Sequence, residues 1–227
     1  MGQYFKPCFL RSDKKLPIAY VYSHDILSTF TRDDKTTFTS GSGLKLMEHS
    51  WMKNNFVGFV EEQLTPEGSF YKTALVWAGD YADEEPVEVL SKRVISQLVE
   101  DGCDLKTLEI DGANLYNISV TIPRLLPSNH IEEYKILPAK ETRYLVNHDK
   151  KEFVDKTKVL MGTWDKMHPL PILTCEGDGR GGGDYDSEKN GDKNKLVGRW
   201  ARDVISVESK KSDFPKDFVE IIFDLKY

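Results

Sequence analysis

Apolar residues in this chain gather in short aromatic and β-branched runs fenced by turn-forming residues, and that punctuation favours strands over long helices. Residues 4–10 and 18–22 are two such runs, split by Arg11-Ser12-Asp13-Lys14-Lys15. Residues 73–77 read as a strand. Residues 105–110 and 115–122 read as a strand pair joined by Asp111-Gly112, a dipeptide suited to a tight hairpin turn. Residues 143–146 and 152–154 bracket the turn His148-Asp149-Lys150-Lys151, residues 172–176 form a buried strand, and residues 196–207 and 218–225 supply closing strands. Two stretches break the pattern. Residues 51–64 place Phe56, Phe59, Val60 and Leu64 at helical spacing, with Pro66 and Gly68 as the stop. Asp83-Glu84-Glu85-Pro86 is a helix-start signature, with acids at the positive end of the dipole and proline in the first turn. The stripe Val87, Leu90, Val94, Ile95 and Leu98 continues that helix to Gly102. Residues 28–42 and 123–138 read as irregular, and residues 43–48 suit either a strand or a helix start. Two helices and about nine strands make a β-dominant α+β fold on mixed or antiparallel sheet.

The length, 227 residues, suits one large domain or two small ones with room for a proper core, and a single domain over residues 1–227 is expected. Lys and Arg number 31 against 37 Asp and Glu, a balance that argues against duplex DNA as partner, which needs a concentrated basic face. Cys8, Cys103 and Cys175 are sparse and odd in number, the pattern of reduced thiols in the cytoplasm. No signal-peptide core is present, and no apolar run approaches the ~20 residues of a membrane span.

Two segments echo each other. Tyr20-Val21-Tyr22-Ser23-His24-Asp25 lines up with Tyr144-Leu145-Val146-Asn147-His148-Asp149, and Trp77-Ala78-Gly79-Asp80 with Trp200-Ala201-Arg202-Asp203, at a nearly constant offset. Glu48 and Glu176 each follow an apolar run between these landmarks. The echo predicts two diverged halves, residues 1–102 and 103–227, related by a pseudo-two-fold axis. Met1-Gly2-Gln3-Tyr4-Phe5, Gly43-Leu44-Lys45-Leu46-Met47-Glu48, Trp77-Ala78-Gly79-Asp80-Tyr81-Ala82-Asp83 and Gly179-Arg180-Gly181-Gly182-Gly183-Asp184, with Gly198-x-Trp200-Ala201 beyond, resemble an uncharacterised family of bacterial and phage-associated proteins. The resemblance implies a bacterial or phage source. It carries no activity, cofactor or fold with it.

The chemistry-bearing stretch is Glu176-Gly177-Asp178-Gly179-Arg180-Gly181-Gly182-Gly183-Asp184-Tyr185-Asp186. Successive glycine amides can cradle an anion, and Arg180 offers a two-pronged partner to phosphate oxygens. The carboxylates of Asp178, Asp184 and Asp186 repel an unassisted anion, so a divalent cation, Mg²⁺ or Ca²⁺, is expected between them, with Asp184 and Asp186 as metal candidates. The stretch matches neither the P-loop nor the dinucleotide fingerprint, and an EF-hand fails because Val197 stands at its last ligand position. The expected ligand is a small phosphorylated molecule such as a nucleotide, contacted by Asp178, Arg180, Gly181, Gly182, Gly183 and Trp200. A hydrolase or transferase on the same site would use Glu176 or Asp184 as general base and Arg180 against developing negative charge. A third reading is a protein-interaction module between phage and host that uses the polar loop as contact surface. His24-Asp25 and His148-Asp149 are adjacent pairs whose side chains diverge on a strand, so neither is a ready-made dyad.

Overall fold

The turn at residues 11–16 returns the chain on itself, and β1 (Phe5–Leu10) and β2 (Pro17–Val21) pair antiparallel with Cys8 opposite Tyr20. The computed structural model describes residues 4–22, 50, 52, 54–85, 114–119, 124–125, 142–159, 167–177 and 195–224. Within them, nine strands form one mixed sheet: β1, β2, β3 (Thr73–Gly79), β4 (Arg124–Leu125), β5 (Tyr144–Asn147), β6 (Glu152–Asp155), β7 (Cys175–Glu176), β8 (Asp203–Glu208) and β9 (Val219–Glu220). The order is β4-β2-β1-β3-β8-β5-β6-β9, with β7 pairing β3 off this path. The fold is α+β and β-dominant, as the sequence predicts.

Read outward from the β3–β8 seam, both sides carry a strand of a local hairpin, then its mate, then a parallel outer strand: β1-β2-β4 on one side, β5-β6-β9 on the other. The echoed residues do not occupy equivalent places in that order. Tyr20 lies on β2 and Tyr144 on β5, while Trp77 is inside β3 and Trp200 in the turn before β8.

One face of the sheet supports the main core. Phe5, Phe9, Val21, Leu75, Trp77, Leu145, Val154, Ile205 and Val207 pack there with α1 (Asn55–Gln63) and α3 (Pro169–Thr174). Full burial of a side chain such as Phe9 or Leu75 contributes about 1.5–3 kcal/mol over exposure. The opposite face carries two smaller clusters: Cys8, Leu10, Ala74, Val76 and Ala78 under Leu115 of α2 (Leu115–Ile118), and Tyr144, Val146 and Phe153 under Phe214. Burial on both faces explains why β1 is apolar at nearly every position rather than at alternate ones.

Several elements differ from the sequence reading. Residues 115–118 are a helical turn, not a strand, because Asn114 Oδ1 accepts the Asn117 N–H at 3.0 Å and caps the turn. Residues 169–174 are a helix, so of the strand expected at 172–176 only Cys175–Glu176 is strand. His168 Nδ1 accepts the Leu170 N–H at 3.2 Å, proline occupies the first turn, and the six residues are buried on all sides, so no period marks them. Of the run 196–207, residues 196–202 are turns and the strand starts at Asp203; of 218–225, the strand is Val219–Glu220. The helix expected at 51–64 starts at Asn55, because Asn54 Oδ1 takes the Phe56 and Val57 N–H groups at 2.9 and 3.3 Å. The helix expected at 86–102, the strand at 105–110 and residues 28–48 lie outside the described residues.

After α1 the chain doubles back tightly. Gly68 N donates to Thr65 O and Phe70 N to Gln63 O, and a Cβ on Gly68 would stand 2.2 Å from Glu62 O and 2.3 Å from Gln63 O. These are backbone atoms that cannot rotate away. Gly68→Ala is therefore expected to destabilise the fold by about 1–3 kcal/mol, read as a lower midpoint in urea with unchanged slope. An unchanged midpoint would refute the close approach.

A charged group sits inside the main core. Lys156, in the turn after β6, places Nζ 2.5 Å from Glu61 Oε1 of α1 and 3.1 Å from Thr142 Oγ1, and His168 Nε2 lies 3.2 Å from the same Glu61 oxygen. All are at most 5% exposed. No helix among the described residues is long and apolar enough to cross a membrane.

Candidate functional site

β3 and β7 run parallel, Trp77 opposite Cys175 and Ala78 opposite Glu176, so their carboxyl ends finish side by side. The chain leaving β7 enters the glycine-rich stretch, and the chain leaving β3 enters Asp80. In open sheets the carboxyl ends of parallel strands are where ligands bind. Asp178, Arg180, Gly181, Gly182, Gly183, Asp184 and Asp186 lie outside the described residues, as do Glu48 and His24-Asp25. Glu176 and Trp200 lie within them.

Glu176 is 3% exposed, and Arg202 grips both its oxygens: Nε donates to Oε2 at 2.7 Å and Nη2 to Oε1 at 2.7 Å. The same guanidinium reaches Glu85, through Nη1 to Oε2 at 3.2 Å and through Nη2 to Oε1. One arginine thus ties the start of the glycine loop to the acidic segment 83–85. Burial opposes the charge on Arg202, but Glu176 and Glu85 more than offset it and hold the guanidinium above its ordinary range. The backbone at Arg202 is left-handed, φ 65°, and its N–H donates to Leu75 O at 2.8 Å. Non-glycine residues adopt that conformation at a cost of about 1 kcal/mol or more, here sustained by the fork of ion pairs.

Lys6 completes the row. In register it lies opposite Ala78, which lies opposite Glu176, so Lys6, Ala78 and Glu176 point to one face. Lys6 is 4% exposed; its Nζ donates to Tyr116 O at 3.2 Å and stands 3.7, 5.6 and 5.7 Å from the ring centroids of Tyr116, Tyr22 and Tyr20. Burial lowers its pKa, against the pull of Cys8 and Asp80. Asn114 Nδ2 donates to Asp80 O and Ala82 O at 3.0 and 3.2 Å, and Asp80 Oδ1 accepts the Tyr4 N–H at 3.0 Å. Among the described residues, Lys6 and Arg202 face the carboxylates of Glu85, Glu176 and Asp80.

This geometry limits the chemistry. Glu176 has both oxygens engaged by Arg202, which suits a positioning carboxylate and not a general base. Trp200 is fully buried and its Nε1–H donates to Glu152 Oε2 at 2.8 Å, so it offers no ring face for a ligand to stack on. The Cys8 and Cys175 thiols are pushed up to about 12 by burial and are no nucleophiles. Asp149 does not orient His148: it accepts from Lys14 Nζ at 2.5 Å and from Val204 N at 2.7 Å. Among the described residues no group of three or more His, Cys, Asp or Glu could hold a metal ion. Sequence reasoning passed over Arg202 and Lys6. The available signal was a lone cation inside an otherwise apolar run, as at Lys6, which marks a buried charge needing partners.

Comparison with protein families, with curated proteins and with solved structures finds no match for this chain.

Proposed function

We propose that the protein binds a small phosphorylated molecule of the nucleotide class, held by the glycine amides and Arg180 over the carboxyl ends of β3 and β7. The observation that carries this reading is the buried clamp of Arg202 on Glu176, which fixes the point where the glycine loop leaves a parallel strand. Because the carboxylates of Asp178, Asp184 and Asp186 repel an unassisted anion, the phosphate is bridged by Mg²⁺ or Ca²⁺ on Asp184 and Asp186. A cytoplasmic location fits the two buried thiols, Cys8 and Cys175, neither of them in a disulfide.

Thermal melting with a panel of nucleotides, with and without Mg²⁺, tests the reading. A ligand at 100 times its Kd adds about 2.7 kcal/mol, a rise of roughly 5–11 °C for a chain of this size. Arg180→Ala is expected to abolish the rise. A rise that survives Arg180→Ala, or no rise with any nucleotide, overturns the proposal.

A further inference from the structure

On the same face as the Tyr144–Phe214 cluster, the side chains of β5 and β8 form a hydrogen-bonded chain with a fixed direction. Val146 lies opposite Ser206 and Tyr144 opposite Glu208, and His148 extends that face by one step, its N–H bonded to Val204 O at 2.9 Å. Ser206 Oγ is 2.7 Å from Glu208 Oε1 and 2.8 Å from His148 Nε2; Tyr71 Oη donates to the same Glu208 oxygen at 2.9 Å. A serine hydroxyl has one proton. Glu208 as a carboxylate takes it, so the contact to His148 requires the imidazole to donate from Nε2. That leaves the lone pair on Nδ1, which has no partner among the described residues. Ser206 and Glu208 are at most 1% exposed, whereas His148 is half-buried, with Phe218 set against its ring at a 71° interplanar angle.

A buried carboxylate thus orients a histidine through one intervening hydroxyl, and the basic nitrogen points away from the chain of bonds. We propose that His148 Nδ1 is the general base of a hydrolytic site for small esters that carry a second, anionic group. Lys72 would receive that group. It is exposed, with left-handed backbone (φ 53°), lies 4.9 Å from the Tyr71 ring centroid and has no ion-pair partner among the described residues. In the reaction, His148 Nδ1 takes a proton from water as the water oxygen bonds to the ester carbonyl carbon. The ester C–O bond then breaks, and the proton passes from His148 to the leaving oxygen. Glu208 stabilises the transient imidazolium through Ser206, the role of an orienting acid in a triad. The site does not depend on the reading of the glycine loop.

The charged groups around the base set its pH range. Lys72, before β3, and Asp149, beside it in the turn, act on His148; Asp213 acts on Glu208 and Tyr71, and Glu67 on Tyr71. Burial, reinforced by Lys72 and opposed by Asp149, pushes His148 down to about 4. The imidazole therefore stays neutral at neutral pH, and because burial raises Glu208 above its ordinary value, the orienting carboxylate is protonated before His148 as pH falls.

The experiment uses the full chain with 4-nitrophenyl acetate as neutral ester and 4-nitrophenyl hemisuccinate as anionic ester. Turnover of both is expected, with its acid inflection below the value of about 6.5 that an exposed histidine would give. His148→Gln is expected to lower kcat 10²-fold or more. Lys72→Ala should raise KM for the hemisuccinate and not for the acetate. Glu208→Gln, which keeps the shape, should lower kcat with KM held. Nitrogen NMR of the imidazole should find the proton on Nε2. Equal rates in wild type and His148→Gln, an inflection near 6.5, or a proton on Nδ1 would each overturn the assignment.

Discussion

Arg202→Ala is expected to lower the melting temperature by about 10 °C at neutral pH. The substitution leaves Glu85 and Glu176 buried without their cation, and breaking a buried ion pair on one side costs roughly 3–5 kcal/mol. In a chain of this size each kcal/mol is worth about 2–4 °C. Arg202→Gly separates two contributions: it relieves the left-handed backbone yet still removes the fork, so it should be less harmful than alanine but well below wild type. If alanine and wild type melt within 2 °C of each other, a bound on the order of 1 kcal/mol, the clamp contributes nothing and the positioning of the glycine loop loses its physical basis.

The second large effect belongs to Glu61. Burial opposes its charge, but Lys156 and His168 prevail and hold the carboxyl down to about 2. An unfolded glutamate titrates near 4.3. The folded value is the lower one, so the stabilisation is fully present above about pH 4.3 and is lost as pH falls toward 2. Glu61→Gln should remove that part of the acid limb: urea midpoints measured from pH 6 to pH 2.5 should fall steeply for wild type and less steeply for the variant. At neutral pH the variant strands Lys156 in the core and should cost about 3–5 kcal/mol. Replacing both partners with Met and Leu should recover most of it, since apolar packing can substitute for a buried pair. Parallel acid limbs for wild type and Glu61→Gln would refute this assignment.

What could be read from the chain alone follows from range. The β1–β2 and β5–β6 hairpins are legible because turn residues and strand residues adjoin in sequence. Helix α1 is legible because its apolar residues recur at helical spacing, although its start depends on Asn54. Helix α3 is not, because a helix buried on every side has no polar stripe, and Ile172 to Glu176 reads equally well as a strand. The site divides the same way. The glycine loop advertises itself through composition, whereas the clamp joins Arg202 to partners 26 and 117 residues away. Glu85 was legible as an acid near a helix start, but nothing nearby announces its guanidinium. For His148 the sequence rules out Asp149 as a ready-made partner but does not point to Ser206, 58 residues on, to which it hydrogen-bonds.

The seam between β3 and β8 has a kinetic consequence. It rests on three paired positions, from Thr73 opposite Ile205 to Leu75 opposite Asp203, whereas the flanking hairpins close loops of only a few residues. Bringing positions so distant in sequence together carries a large loop-closure entropy before any contact rewards it. The β1–β2 and β5–β6 hairpins are therefore expected to form before β3 and β8 are joined.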